Sequence, residues 1–266
     1  MTSTGFSPPP ATRSTAFISS VYPTLPDRGS PSPHRLKPFV TLTYAQSLDA
    51  KIAGKDRKQI ILSGPESMEL THRLREWHDS ILVGIGTVLN DNPQLIARIP
   101  SMLPVDQQPT PIVLDRHLET PPGCRLIENF TDRKIGKRPV IVCDETYVQT
   151  LEGRRRKEAL EQAGATVVDI PSGSNGRIEL SSLVRDQNLA RHLGRSLMIE
   201  GGSAVLSSFI ASPDVDRVVV TVAPVFVGEE GVGIVKPGTR VPRLHHLATQ
   251  LFGRDTVFAG QPIQES

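Results

Sequence analysis

The chain has only two cysteines in 266 residues, Cys124 and Cys143. They form no C-x-x-C pair, so neither a disulfide framework nor a structural zinc is expected, and a reduced, intracellular protein fits this usage. Long apolar runs are missing as well. The longest, Ile81–Leu89 and Val218–Val227, are too short to span a bilayer. No apolar segment near the start resembles a secretory signal, so a cytoplasmic location is expected. A positive excess is missing from most of the chain. Net charge is +2, but residues 1–38 hold four basic side chains against one acidic, and residues 39–266 hold 26 basic against 27 acidic. That balance excludes a strong attraction for nucleic acid. The seven histidines show no ligand spacing, and the adjacent His245 and His246 would point opposite ways on a strand, so no metal is expected. Several chemical signatures are absent too: a Ser-His-Asp order, a nucleophile elbow, a P-loop lysine motif, and the H-x-E with P-C-x-x-C pattern of deaminases. These absences disfavour hydrolysis and favour a cofactor that carries its own reactive group.

What is present reads as a globular body behind a different leader. Hydrophobic residues and glycine together make about 46% of the chain, the usual share for a folded soluble protein. Residues 1–38 contain 8 prolines and 12 serines or threonines, and are expected to be a disordered extension. Their Ser-rich, Arg-bearing, acid-poor composition resembles a transit peptide, so mitochondrial targeting stays open. The prolines argue against the amphipathic helix such a peptide needs.

From residue 39 the pattern becomes regular. Strands are expected at Phe39–Ala45, Ile81–Gly84, Pro111–Leu114, Val140–Cys143, Thr166–Ile170, Leu197–Ile199, Arg217–Ala223 and Thr256–Ala259. Helices are expected at Pro65–Trp77, Arg154–Ala163, Leu180–Leu193 and Ser203–Ile210, with a helical turn at Thr87–Asp91. Strands alternating with helices predict a single α/β domain over residues 39–266. Its central sheet is expected to be mostly parallel, with helices on both faces and an antiparallel C-terminal edge.

Ligands of open α/β sheets bind beyond the carboxyl ends of the strands. Two such ends here carry glycine. After Ile199, Glu200 is followed by Gly201, Gly202, Ser203 and Ala204, a turn into a helix start that suits a pyrophosphate. A plain tight turn explains the glycines equally well. Glu200 adds weight, because a carboxylate ending an apolar strand is costly unless it finds a donor. After Val83, Gly84 and Gly86 do not complete a Rossmann fingerprint, since Leu89 holds the third glycine position. Thr87 and Asp91 share one face of the following turn, although capping alone accounts for Thr87. Arg75 and Arg98 flank this site and suit a phosphate, against the plain reading of solvated surface arginines. Asp49 and Lys51 follow the first strand at a spacing that allows an ion pair.

Four stretches together resemble one family: Thr43-Tyr-Ala-Gln-Ser-Leu-Asp-Ala-Lys-Ile-Ala53, Leu74-Arg75, Asp79 to Leu95 with its Gly84-Ile-Gly-Thr87 and Asp91-Asn-Pro93, and Ile199-Glu-Gly-Gly-Ser203 followed by Ala223-Pro224 and Gly228. They are similar to the riboflavin-biosynthesis reductase family, whose fold is dihydrofolate reductase-like. The resemblance covers roughly residues 38–260. It implies an NADPH-dependent reductase whose phosphorylated small-molecule substrate is a ribosylaminopyrimidine 5′-phosphate. The sugar opens and hydride reduces C1′, leaving a ribitylamino product. By position, Ala45, Thr87, Asp91, Gly201, Gly202, Ser203 and Ala204 would contact the cofactor. Ser63, Arg75, Leu95, Arg98 and Glu200 would contact the substrate. Glu200 or Asp49 would favour the charge developing at C1′. Bacterial relatives carry a fused zinc deaminase that these residues lack, so the likeness is to the standalone fungal and archaeal type, which reduces the 2,5-diamino compound. Ala50 stands where relatives usually have glycine. The family commonly forms homodimers, and Arg217–Val227 is one candidate for the interface, or else part of the core. Two further readings stay open: a reductase of the deaminated 5-amino-6-ribosylaminouracil phosphate, and a non-catalytic nucleotide-binding module. A pterin reductase fits less well, having no need of two phosphate-directed arginines.

Overall fold

Short runs of valine, isoleucine and leucine without polar alternation are the mark of strands covered on both faces. The computed structural model, which describes residues 12–23, 37–55, 60–173, 176–235 and 241–263, places them so. Seven strands run parallel: β1 (Phe39–Gln46), β2 (Ser80–Gly84), β3 (Thr110–Leu114), β4 (Val140–Asp144), β5 (Thr166–Ile170), β6 (Ser196–Glu200) and β7 (Arg217–Val222). The hairpin β8 (Leu244–Phe252) and β9 (Asp255–Pro262) adds the antiparallel edge through β9. The order is β5-β4-β3-β2-β6-β1-β7-β9-β8. The expected mostly parallel, dihydrofolate reductase-like sheet is therefore borne out.

Neighbouring residues on one strand feed opposite cores, as the two-residue period demands. Ile81 and Val83 join one core, whose helical side is built by α1 (Arg13–Val21), α2 (Pro65–Trp77), α3 (Ile85–Asp91), α4 (Arg125–Thr131), α5 (Glu145–Val148) and α6 (Leu151–Gln162). Leu82 joins the other, closed by α7 (Leu180–Arg185), α8 (Gln187–Leu193) and α9 (Ser203–Phe209). Helix α2 starts where proline at its first position predicts, since that residue has no N–H to leave unpaired.

The structure corrects two expectations, decides one left open and adds three elements. Residues 13–21 of the leader form α1 rather than a disordered segment. Phe17, Ile18, Val21 and Tyr22 are buried, and Phe17 meets Phe252 edge to face at 5.6 Å. The prolines flank this helix without interrupting it, and Thr12 caps it by accepting the Thr15 N–H. The rest of the expected disorder, residues 1–11 and 24–36, lies outside the described residues. The helix expected over Leu180–Leu193 is two helices, because Asp186 turns extended and caps α8 through the Leu189 N–H. Strand β7 lies inside the sheet between β1 and β9 with five of its six residues buried, so it is core and not a free interface. Helices α4 and α5 and strand β8 were not expected at all.

The buried face of α1 sets a prediction. Phe17→Ala should lower unfolding free energy by about 3–4 kcal/mol, the usual cost of emptying a buried phenylalanine site. Urea denaturation checks it. A loss below ~0.5 kcal/mol would show that α1 does not pack on the body.

Candidate active site

Strands β2 and β6 are neighbours, so the two glycine-bearing strand ends lie side by side. Gly201 and Gly202 have φ of 66° and 77°, a region that disfavours side chains. A Cβ on Gly202 would sit 3.0 Å from Thr87 Oγ1, at the first turn of α3. The two glycine sites are thus one cradle, with Thr87 on one side and the Gly201–Ala204 backbone on the other.

Glu200 ends β6 on the face covered by α2, because Met198 packs into that core and Ile199 into the opposite one. Arg75, in the last turn of α2, meets it with a bidentate ion pair: Nε to Oε1 at 2.8 Å and Nη2 to Oε2 at 2.7 Å. The third nitrogen, Nη1, donates to the Ile96 carbonyl at 3.1 Å. Burial works against the Arg75 charge, but the Glu200 carboxylate outweighs it and the guanidinium is held more firmly protonated than usual. The fork-to-fork geometry fixes both planes.

These groups face a cleft of about 690 Å³ across the carboxyl ends of the strands. Ala45, Thr87 and Asp91 line it, as do Gly201, Gly202, Ser203 and Ala204. So do Ser63, Arg75, Leu95 and Glu200. Burial raises the Asp91 carboxyl above its ordinary value. Leu95 takes a left-handed φ of 48°, a strained backbone for a leucine within the wall.

Two expected residues are not among those lining the cleft. Arg98 is exposed, and its backbone N–H donates to His72 Nδ1 at 3.3 Å. It still lies within electrostatic reach of Arg75 and Glu200. Of the two arginines, Arg75 is paired with Glu200 and the Arg98 side chain is exposed. Asp49 is engaged by donors away from the cleft lining. Its carboxylate accepts the Ser47 hydroxyl at 2.5 Å and the Gly228 N–H at 2.7 Å, with Val227 N–H at 3.1 Å. It ties the turn after β1 to the loop after β7. No Asp49–Lys51 ion pair occurs among the described residues. Ala50, in the glycine position of that turn, has φ of 58°.

Sequence reasoning missed several lining residues, including Tyr44, Arg116 and Arg177. Burial pushes the Tyr44 phenol up to about 12. Arg116 stands two residues past the end of β3, so the strand-end rule would have nominated it. No group of three or more metal-ligating side chains occurs among the described residues. No helix among them is long and apolar enough to cross a membrane.

A mostly parallel sheet with a glycine cradle beside a largely covered Arg–Glu pair at its strand ends defines the α/β enzyme class to which this chain belongs. The chain belongs to the RibD C-terminal domain family, whose model matches residues 38–258. It is similar to the 2,5-diamino-6-ribosylamino-4(3H)-pyrimidinone 5′-phosphate reductase of Debaryomyces hansenii, 35% identical over 216 residues, which are 78% of this chain and 83% of that one. It is also similar to the protein of the same name from Eremothecium gossypii, 34% identical over 95% of this chain and 98% of that one. Among solved structures, the Saccharomyces cerevisiae riboflavin biosynthesis reductase Rib7 superposes with a TM-score of 0.67 at 26% identity, covering 88% of this chain and 93% of that one. Acinetobacter baumannii RibD shares the fold, with a TM-score of 0.68 at 18% identity over 86% of this chain and 58% of that one.

Asp49 titrates at about 2, below its ordinary 3.8, because the Ser47 hydroxyl and then the Gly228 N–H favour the carboxylate. A depressed carboxyl stabilises the fold fully above its unfolded value, and that contribution fades as pH falls from about 4 to about 2. Asp49→Asn should therefore shrink the fall in the urea midpoint between about pH 5 and about pH 2.5. An acid limb identical to the parent protein would contradict the assignment.

Proposed function

We propose that this protein is the NADPH-dependent reductase of 2,5-diamino-6-ribosylamino-4(3H)-pyrimidinone 5′-phosphate in riboflavin biosynthesis. The observation that carries this reading is the juxtaposition of the glycine cradle with the Arg75–Glu200 pair in one cleft. The named relatives support it, since they bear that activity in their names and match most of the chain.

The cradle fits a dinucleotide. Gly202 lies so close to Thr87 Oγ1 that a side chain there would fill the turn. Gly201, Gly202, Ser203 and Ala204 would hold the pyrophosphate by backbone N–H groups, with Thr87, Asp91 and Ala45 alongside. Bound NADPH supplies the hydride. The protein's own residues position and polarise the substrate, which is what hydride transfer requires of them.

Ring opening of the substrate precedes its reduction. The C1′–O4′ bond breaks, the exocyclic nitrogen lone pair forms a C1′=N bond, and O4′ takes a proton from the solvent pool. Positive charge then resides on the imine until hydride reaches C1′. Glu200 is the carboxylate that favours that charge, and Arg75 fixes its orientation. Ser63 and Leu95 line the same cleft, Ser63 just before the helix that carries Arg75. We assign the substrate phosphate to this end of the cleft. Arg98, exposed and within electrostatic reach of Arg75 and Glu200, would assist in holding that phosphate. The protein would act as a homodimer in the cytoplasm, using a face other than β7.

The proposal is tested by following NADPH absorbance with the diamino substrate and, separately, with its deaminated counterpart. The diamino compound should be consumed faster. Binding of NADPH with no turnover of either compound would favour a non-catalytic module. Glu200→Gln should lower kcat by about 100-fold, the order expected when a preorganised transition-state charge is removed. Its NADPH affinity should stay within about twofold. Unaltered turnover in Glu200→Gln would remove Glu200 from the mechanism.

A further inference from the structure

We propose that Asp255, at the tip of the C-terminal hairpin, is a positioning residue for the substrate end of the cleft. The inference rests on the assignment of that end to the pyrimidine phosphate. Helix α2 begins at Gly64, which has no side chain to cap it. Asp255, 191 residues away, anchors that start instead. Its Oδ2 accepts the Gly64 N–H at 2.7 Å and also the Ser67 hydroxyl. The neighbouring Arg254 donates from Nη2 to the Leu62 carbonyl at 3.2 Å, and its Nε lies 3.6 Å from Asp255 Oδ1. The hairpin tip thus grips the segment from Leu62 to Ser67 at three points.

That segment is the cleft wall. Leu62 and Ser63 line the cleft, and α2 then presents Met68, Thr71 and Arg75 to it from one helical face. A change in where α2 starts would move this whole row, including the arginine that holds Glu200. Ser63 is the adjacent residue suited to cap the helix itself. It does not do so: α2 has no side-chain cap bond, and Ser63 lines the wall instead. Asp255 is fully buried; Oδ2 is satisfied twice, while Oδ1 has no hydrogen-bond partner among the described residues and only Arg254 Nε nearby, so the carboxylate is held there at a cost. Stability alone does not call for it, because well-packed apolar groups often serve as well as buried charges. A fixed wall position does. The brace continues outward: Phe252, just before the tip, packs on Phe17 of α1, and Arg13 donates to the Leu251 carbonyl at 3.1 Å.

The test uses the full chain with three variants, Asp255→Asn, Ser67→Ala and Arg254→Ala. For each, KM for the pyrimidine phosphate, kcat, and NADPH affinity by fluorescence titration are measured. The expected result is a KM raised about 10-fold with a smaller fall in kcat, since α2 also carries the arginine that holds Glu200, and NADPH affinity within about twofold, since the glycine cradle lies on other elements. Arg254→Lys, which keeps a donor for Leu62, should restore KM toward the parent value. If Asp255→Asn does not fold, Arg254→Ala decides, since its side chain is half exposed and leaves the buried carboxylate in place. Unchanged KM in folded variants overturns the proposal, and so does a parallel loss of NADPH affinity, which would mark a merely structural role. Arg75→Ala is measured alongside. If it leaves KM unchanged, the assignment of the substrate end fails. If it raises KM while the hairpin variants do not, the positioning role alone fails.

Discussion

A parallel sheet covered by helices on both faces leaves only its strand ends for chemistry. Along β2, Ile81, Leu82 and Val83 are all buried, and the matching positions of β4 and β6 are too. No polar ligand group fits within those runs without an unpaired buried atom. The groups that the sheet itself contributes consequently lie at or just past a carboxyl end: Ala45 on β1, Gly84 on β2, Arg116 past β3, Glu200 on β6. The placement of β6 between β2 and β1 brings three of these ends into adjacency. The cleft is the space that this strand order creates.

Within that space, the Arg75–Glu200 pair joins helix to sheet. The exposure of its two side chains is 13% and 15%, so solvent screens it weakly, and its bidentate geometry leaves little freedom of rotation. Losing either partner would strand the other charge in a poorly hydrated place. The pair therefore couples the position of α2 to the end of β6, and whatever fixes α2 also fixes the carboxylate. Two supports act on α2 from outside: the hairpin tip at its start, and α1 along its flank, where Tyr22 stacks near Trp77 with ring centroids 4.4 Å apart.

Much of this was legible in the sequence, for local reasons. Pro65 sets the start of α2, and β-branched runs mark the buried strands. The Gly201–Gly202 pair announces its turn because only glycine adopts those angles cheaply. What was hidden depends on long-range partners. Arg75 and Glu200 were each visible as candidates, but 125 positions separate them, and no local pattern says that they meet. Asp49 looked chemical because it is a carboxylate in a motif; its donors come from Val227 and Gly228, far along the chain. Strand β8 escaped notice because it is an outer strand with mixed polarity and an irregularity between His246 and Ala248. Helix α1 was masked by the prolines around it, although Phe17, Ile18, Val21 and Tyr22 already outline one helical face.

The central claim is that one cleft brings a nicotinamide hydride to C1′ of a ribosylaminopyrimidine phosphate. The most direct measurement supplies NADPH deuterated at the transferring carbon and analyses the pyrimidine product by mass spectrometry and NMR. The account predicts one deuterium per product molecule, at C1′, with one cofactor consumed for each. Product without deuterium at C1′, or consumption of the cofactor without a ribitylamino product, would contradict it.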